Sequence, residues 1–291
     1  MTNARSTTAR STTPPSDRTA PPRRIVTTTC SNTEIVAALG CGDRLVGVDD
    51  YSDHPPELLA GLPRVGKDLD IDVEAVAALE PDLVLASLTV PGHEKVVARL
   101  EARGLPVVSP APESWDDVER DVLDIAARLG VPERGRRVVE AMRAAVPAEP
   151  PPRSGSRPRV AVQWWPKPAI LPGRRSWVHD LLARAGAENV LDEDVISRPV
   201  DDAELAALAP DVIVLAWCGV EVDKYRPDVV YRNPVLRDVP AVRLGRVVPI
   251  SEAYLGRPSP RLVEGYRAFR RVFDAMSQDT DGPPPADTDD G

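Results

Sequence analysis

The residues of this chain that could do chemistry are mostly aromatic. Of its 12 aromatic side chains, ten are Trp or Tyr and only Phe269 and Phe273 are Phe. Trp164 and Trp165 end a predicted strand, Trp217 ends another, and Tyr51 follows the loop after the second strand. Ligands of open α/β sheets bind at the carboxyl ends of the strands, and indole and phenol rings present flat apolar faces with a polar handle. Core packing accounts for any one such ring. Their recurrence past strand ends points to a pocket.

Catalytic patterns are missing. The chain contains no G-x-G-x-x-G, G-x-x-x-x-G-K-[ST], G-x-S-x-G or H-E-x-x-H. Carboxylates are plentiful, but no acid–base dyad stands out. The histidines, His54, His93 and His179, are far apart in sequence, which fits surface or loop positions better than a metal site. Cys30, Cys41 and Cys218 are odd in number and contain no C-x-x-C, so neither a disulfide framework nor a structural zinc site is expected. An enzyme has no positive support, and no resident metal or cofactor is implied.

The elements that must position the rings read as an α/β pattern. The 291 residues are 42% hydrophobic, enough for one large domain or two lobes. A net charge of −9 argues against nucleic acid, which demands a basic surface. The longest uncharged apolar stretch, Val212–Val220, is about half of the ~20 residues a membrane-spanning helix needs. Residues 1–24 carry a net +4 and residues 277–291 a net −5, both without apolar periodicity. These ends read as disordered tails. The first 24 residues hold no apolar h-region and hence no recognisable secretory signal.

Between the tails, strands alternate with helices, the signature of parallel βαβ units. A strand over 24–28 leads to a helix that the Ser31/Glu34 pair would open as a capping box and Gly40 would stop. Strands follow at Leu45–Val48, Leu83–Ala86 and Leu105–Val108, with helices over Asp72–Leu79 and Gly92–Arg103. Pro132–Val146 reads as a further helix, and a Pro-rich segment over 147–158 breaks the pattern before it restarts at Arg159. The stretch Leu79-Glu80-Pro81-Asp82-Leu83-Val84-Leu85-Ala86 is echoed by Leu208-Ala209-Pro210-Asp211-Val212-Ile213-Val214-Leu215-Ala216. The spacing therefore predicts tails at 1–23 and 278–291, lobes at 24–131 and 159–277, a helix at 132–146 and a linker at 147–158.

Several segments resemble the periplasmic binding proteins of cobalamin and iron-siderophore ABC importers. They are Cys30-Ser31-Asn32-Thr33-Glu34-Ile35, Asp50-Tyr51-Ser52-Asp53-His54-Pro55-Pro56-Glu57 and the first Pro-Asp strand, then Asn233-Pro234-Val235, Gly245-Arg246-Val247-Val248 and Pro258-Ser259-Pro260-Arg261-Leu262. The likeness covers about 25–276, and its Tyr-Ser-Asp segment points to the cobalamin-binding members. It implies two Rossmann-like lobes joined by a single long helix, Pro132–Val146, with the ligand cleft between them. It also implies a monomer with no enzymatic activity and no required cofactor, whose ligand is cobalamin or a related corrinoid. By position, Tyr51, Trp165, Trp217 and Arg257 would contact the ligand, with Glu252 nearby. Ser87 and Ala253 depart from the pattern, standing where a Trp and a carboxylate are expected. Family members dock on a permease through one acidic residue per lobe, which would be Glu94 and Glu221 here.

Haem or a ferric siderophore is the alternative ligand, with Tyr51 or His54 as a haem ligand. A cytoplasmic corrinoid- or tetrapyrrole-handling protein is the other class, and it would need His93 and His179 to converge near carboxylates. The family implies an extracytoplasmic location, whereas the first 24 residues imply a cytoplasmic one if Met1 is the true start.

Overall fold

A computed structural model describes residues 20–152 and 155–280, with backbone alone at 278–280. The expected tails, 1–23 and 278–291, lie outside the described residues apart from 20–23 and the end of the last helix. The chain divides into two compact units. The first holds the chain up to Ala145 together with Arg257–Arg261, and the second holds Val146–Gly256 together with the chain from Leu262.

The first unit runs β1 (Ile25–Thr27), α1 (Cys30–Ala38), β2 (Leu45–Val48), α2 (Pro56–Leu59), β3 (Gly66–Lys67), β4 (Asp70–Ile71), α3 (Val73–Ala78), β5 (Leu83–Leu85), α4 (His93–Ala102), β6 (Val107–Val108), α5 (Trp115–Arg128) and α6 (Pro132–Ala145). Its main sheet has the order β2-β1-β5-β6, parallel throughout. Helices cover both faces, so the strands read as unbroken apolar runs. Alternate residues go to opposite sides. Ile25, Leu83 and Leu85 meet Ile35 of α1 and Val122 and Ile125 of α5. Val26, Val84 and Val107 meet Val96, Val97 and Leu100 of α4.

Helix α5 was not anticipated from sequence, although Ser114 caps it by accepting the Asp117 N–H at 3.1 Å. It packs closely on α6, because a Cβ on Gly135 would lie 2.5 Å from Ala126 Cβ. Only glycine permits that approach.

The second unit runs β7 (Arg159–Gln163), β8 (Trp165–Pro166), β9 (Ala169–Pro172), α7 (Trp177–Ala185), β10 (Glu188–Asn189), β11 (Ser197–Val200), α8 (Asp202–Leu208), β12 (Val212–Leu215), α9 (Pro227–Tyr231), α10 (Pro240–Arg243), β13 (Val247–Pro249) and α11 (Leu262–Thr280). Its parallel sheet has the order β10-β7-β12-β13, and β11-β9-β8 form an antiparallel sheet beside it. In both units the first strand of the parallel sheet lies between the second and the third, with the fourth outside the third.

The sequence echo has a structural cause. α3 and α8 both stop before a Pro-Asp pair, and the residue preceding the proline, Glu80 or Ala209, takes φ 45°. That left-handed turn ends the helix where the following proline disfavours its continuation. The aspartate then anchors the central strand. Asp82 accepts the Arg23 and Arg24 N–H groups at 2.9 Å each, while its own N–H donates to Arg24 O at 2.9 Å. Asp211 exchanges the same pair of bonds with Arg159, both at 2.8 Å. One motif sets β5 beside β1 and β12 beside β7.

Two local expectations are corrected. The predicted capping box does not form: α1 starts earlier, at Cys30, with an extended Thr29 as its cap and no side-chain hydrogen bond there. Ser31 and Glu34 sit inside the helix and are buried. Arg257–Arg261, expected in the C-terminal lobe, groups with the first unit, where Arg257, Ser259 and Arg261 hydrogen-bond Glu34.

Candidate functional site

The switch in strand order places a crevice at the carboxyl ends of the first and third strands of each sheet. In the first unit these ends carry the start of α1 and the loop after β2. Asp49, fully buried, ties that loop down: it accepts the Tyr51 N–H at 3.0 Å, the Ser52 hydroxyl, and the Cys30 thiol at 3.6 Å. Burial pushes its carboxyl above the ordinary value, and the hydrogen bonds from Ser52 and Tyr51 offset this only in part. Ser52 continues to Thr33 at 2.8 Å, and Thr33 to Thr27 at 2.6 Å. Arg64 donates to the Asp49 and Ser52 carbonyls at 2.8 and 2.7 Å. The loop so held carries Tyr51, which is 44% exposed.

Beside it stands a cluster of four charges. The Glu34 side chain, 2% exposed, accepts Arg257 Nη1 at 3.0 Å, Arg261 Nη1 at 2.8 Å and the Ser259 hydroxyl at 2.5 Å. Arg257 reaches on with both terminal nitrogens to Asp53, at 2.6 and 3.4 Å. The Asp53 side chain is 60% exposed. Partial burial pushes its carboxyl up, but the Arg257 hydrogen bonds and the charges of Arg257 and Arg261 outweigh this and hold it below the ordinary value. Two guanidiniums face two carboxylates, so the four sum to zero. Arg257 and the Tyr51 loop are thus brought together through Asp53, a residue not singled out as functional from sequence although it lies in the Tyr-Ser-Asp segment.

The second unit builds its strand ends from rings. Trp164 follows β7 and Trp217 follows β12, and Cys218 N–H donates to Trp164 O at 3.0 Å across the switch. Trp164 packs on Trp177 with centroids 5.8 Å apart, and Trp217 on Tyr225 at 5.3 Å. Trp217 is only 7% exposed, so its ring is as much core as surface. The Tyr225 hydroxyl donates to Trp217 O at 3.2 Å and accepts the Glu252 N–H at 3.1 Å, which brings Trp217 and Glu252 together. Trp165 projects from β8 with 43% of its surface exposed. The indole N–H groups of Trp164 and Trp217 are buried with no hydrogen-bond partner, a state that costs about 1–3 kcal/mol per donor.

The expected docking residues have local partners. Glu94 folds back on the start of α4, where its carboxylate accepts the Gly92 N–H at 2.8 Å. Its own N–H and that of Gly92 hold its carboxyl below the ordinary value. Glu221 pairs with Lys224 at 2.6 Å on the surface. Buried His93 bonds Asp68 at 2.8 Å through Nε2 and accepts the Val90 N–H at Nδ1. Among the described residues no group of His, Cys, Asp and Glu could hold a metal ion, and no helix is long and apolar enough to cross a membrane.

A parallel α/β unit, repeated, with rings and a charge cluster at its strand ends defines a solute-binding protein. Residues 25–254 match the periplasmic binding protein family, and the chain belongs to that family. Its members are solute-binding components of ABC importers and are not enzymes. A vitamin B12-binding protein of Salmonella choleraesuis is 28% identical over 259 residues, covering 88% of this chain and 90% of its own. A periplasmic heme-binding protein from Pseudomonas aeruginosa is 30% identical with a TM-score of 0.70, covering 88% of this chain and 94% of that one. Another, from Roseiflexus sp. RS-1, is 28% identical with a TM-score of 0.72, covering 88% and 99%.

Proposed function

We propose that the chain captures cobalamin or a related corrinoid and hands it to the permease of an ABC importer outside the cytoplasm. The observation that carries this reading is the pair of exposed rings, Tyr51 and Trp165, at the ligand ends of their units. A corrin is a broad, largely apolar disc fringed with amides. Aromatic rings pack against such a disc, Trp217 adds only its small accessible edge, and Glu252 and Arg257 supply hydrogen bonds for amides or phosphate. The relative named as a vitamin B12-binding protein supports the same reading. Glu94 and Glu221 serve as the acidic feet for permease arginines, and Arg–carboxylate pairs fix orientation.

Haem is the second reading, favoured by the two heme-binding structures, with the Tyr51 phenol or exposed His54 as axial ligand. Calorimetric titration with cyanocobalamin and dicyanocobinamide, run beside absorbance titration with hemin, separates the two. A saturable 1:1 corrinoid isotherm is expected. No corrinoid heat, together with a shifted Soret band, would overturn the reading in favour of haem.

A further inference from the structure

We propose that Asp53 is a specificity-determining residue that occupies Arg257 in place of a ligand anion, so that the site prefers uncharged, amide-bearing rings to ligands carrying carboxylates. This rests on the reading of Arg257 as ligand-facing.

The argument turns on how differently the two carboxylates of Arg257 are held. Glu34 is buried, and it also binds Ser259 and Arg261. Removing it would take from both guanidiniums the buried carboxylate they share, so it is a fixture. Asp53 is mostly in water, on the same loop as Tyr51, and grips Arg257 from the exposed side. Asp53, the exposed partner, is solvated whether or not it holds Arg257, so this pair can exchange where the Glu34 pair cannot. Yet it leaves no surplus cation. A porphyrin bearing two propionates would have to push Asp53 aside or sit beside its charge. Either course costs affinity that a ring fringed with amides keeps, because amide carbonyls need only hydrogen-bond donors. Discrimination here is built from an internal competitor.

The test compares wild type, Asp53→Asn, Arg257→Gln and the double variant, with hemin and cyanocobalamin as probes. Asp53→Asn is expected to bind hemin about tenfold more tightly, the scale of one relieved like-charge contact near a protein surface, while its cyanocobalamin affinity changes by a clearly smaller factor. In the double variant the hemin gain should vanish, since the cation that Asp53 occupies is gone and Arg261 stays paired with Glu34. Thermal melts of the variants without ligand separate a structural effect. An unchanged hemin affinity in Asp53→Asn, equal shifts for both probes, or a gain that survives in the double variant each overturn the proposal. If wild type takes up no cyanocobalamin the corrinoid reading falls by itself, whereas the role of Asp53 stands or falls on hemin alone.

Discussion

The two units share a strand order and a Pro-Asp anchor, yet the strand ends are mostly polar and ionic in the first and mostly aromatic in the second. The first ends in polar and ionic groups: Asp49 with Ser52 and Thr33, then Glu34 with Arg257, Arg261 and Asp53. The second ends in Trp164, Trp165, Trp217 and Tyr225, with two indole donors left unpartnered. What the units have in common lies at the amino ends of the strands, where it sets register. What differs lies at the carboxyl ends, where ligands meet α/β sheets. A duplicated scaffold can therefore hold its geometry constant while one copy supplies charge and hydrogen bonds and the other supplies apolar area.

The largest expected effect probes the ionic side of that contrast. Glu34→Ala removes the buried carboxylate that Arg257 and Arg261 share and should cost about 3–5 kcal/mol in chemical denaturation of the full chain. A loss below about 1 kcal/mol would mean that the cluster is solvated, and the contrast between the units would weaken. Next come the shared anchors. Asp82→Ala and Asp211→Ala should each cost about 1.5–3 kcal/mol, the worth of hydrogen bonds to a charged group. Asp82 should cost the more, because it accepts two N–H groups. A neutral result at either position would break the claim that one motif sets both registers.

The smallest effect concerns pH. Asp49 has a raised carboxyl pKa in the fold, so the folded state opposes its ionisation, and its contribution is most favourable in acid. Wild-type stability is therefore lost as pH rises through the raised value. Asp49→Asn keeps an acceptor for Tyr51 N–H and can donate to Ser52, without the charge. Its melting temperature should rise relative to wild type as pH is raised, and the gap should shrink towards acid. A gap that widens in acid would reverse the sign and remove Asp49 as the source.

Much of the scaffold was legible because its causes are local. Val212–Leu215 reads as a buried strand from its unbroken apolar run, and the Pro-Asp repeat is visible because proline and aspartate act within a few residues of themselves. The Ser31/Glu34 pair shows where local reading fails. It fits a capping box, but Glu34 is claimed by Arg257, Ser259 and Arg261, which lie 223 to 227 residues away. No short window contains that information. The antiparallel β8, β9 and β11 escaped for a related reason, since Trp165-Pro166 and Ser197–Val200 acquire strand character only by pairing with β9. Among the candidate site residues, Tyr51 and Trp165 lie past strand ends and are exposed. Position past a strand end could not say that the ring of Trp217 would turn inward onto Tyr225.

The membership of Arg257–Arg261 in the first unit has a consequence for how the protein is made. A ribosome delivers Glu34 early and its three partners only after more than 220 further residues, so the buried carboxylate spends most of synthesis without them. Domains ordinarily complete in the order in which they emerge. Here the amino-terminal unit begins first yet is completed only at Arg261, after all of the second unit except its last segment, from Leu262, has been synthesised.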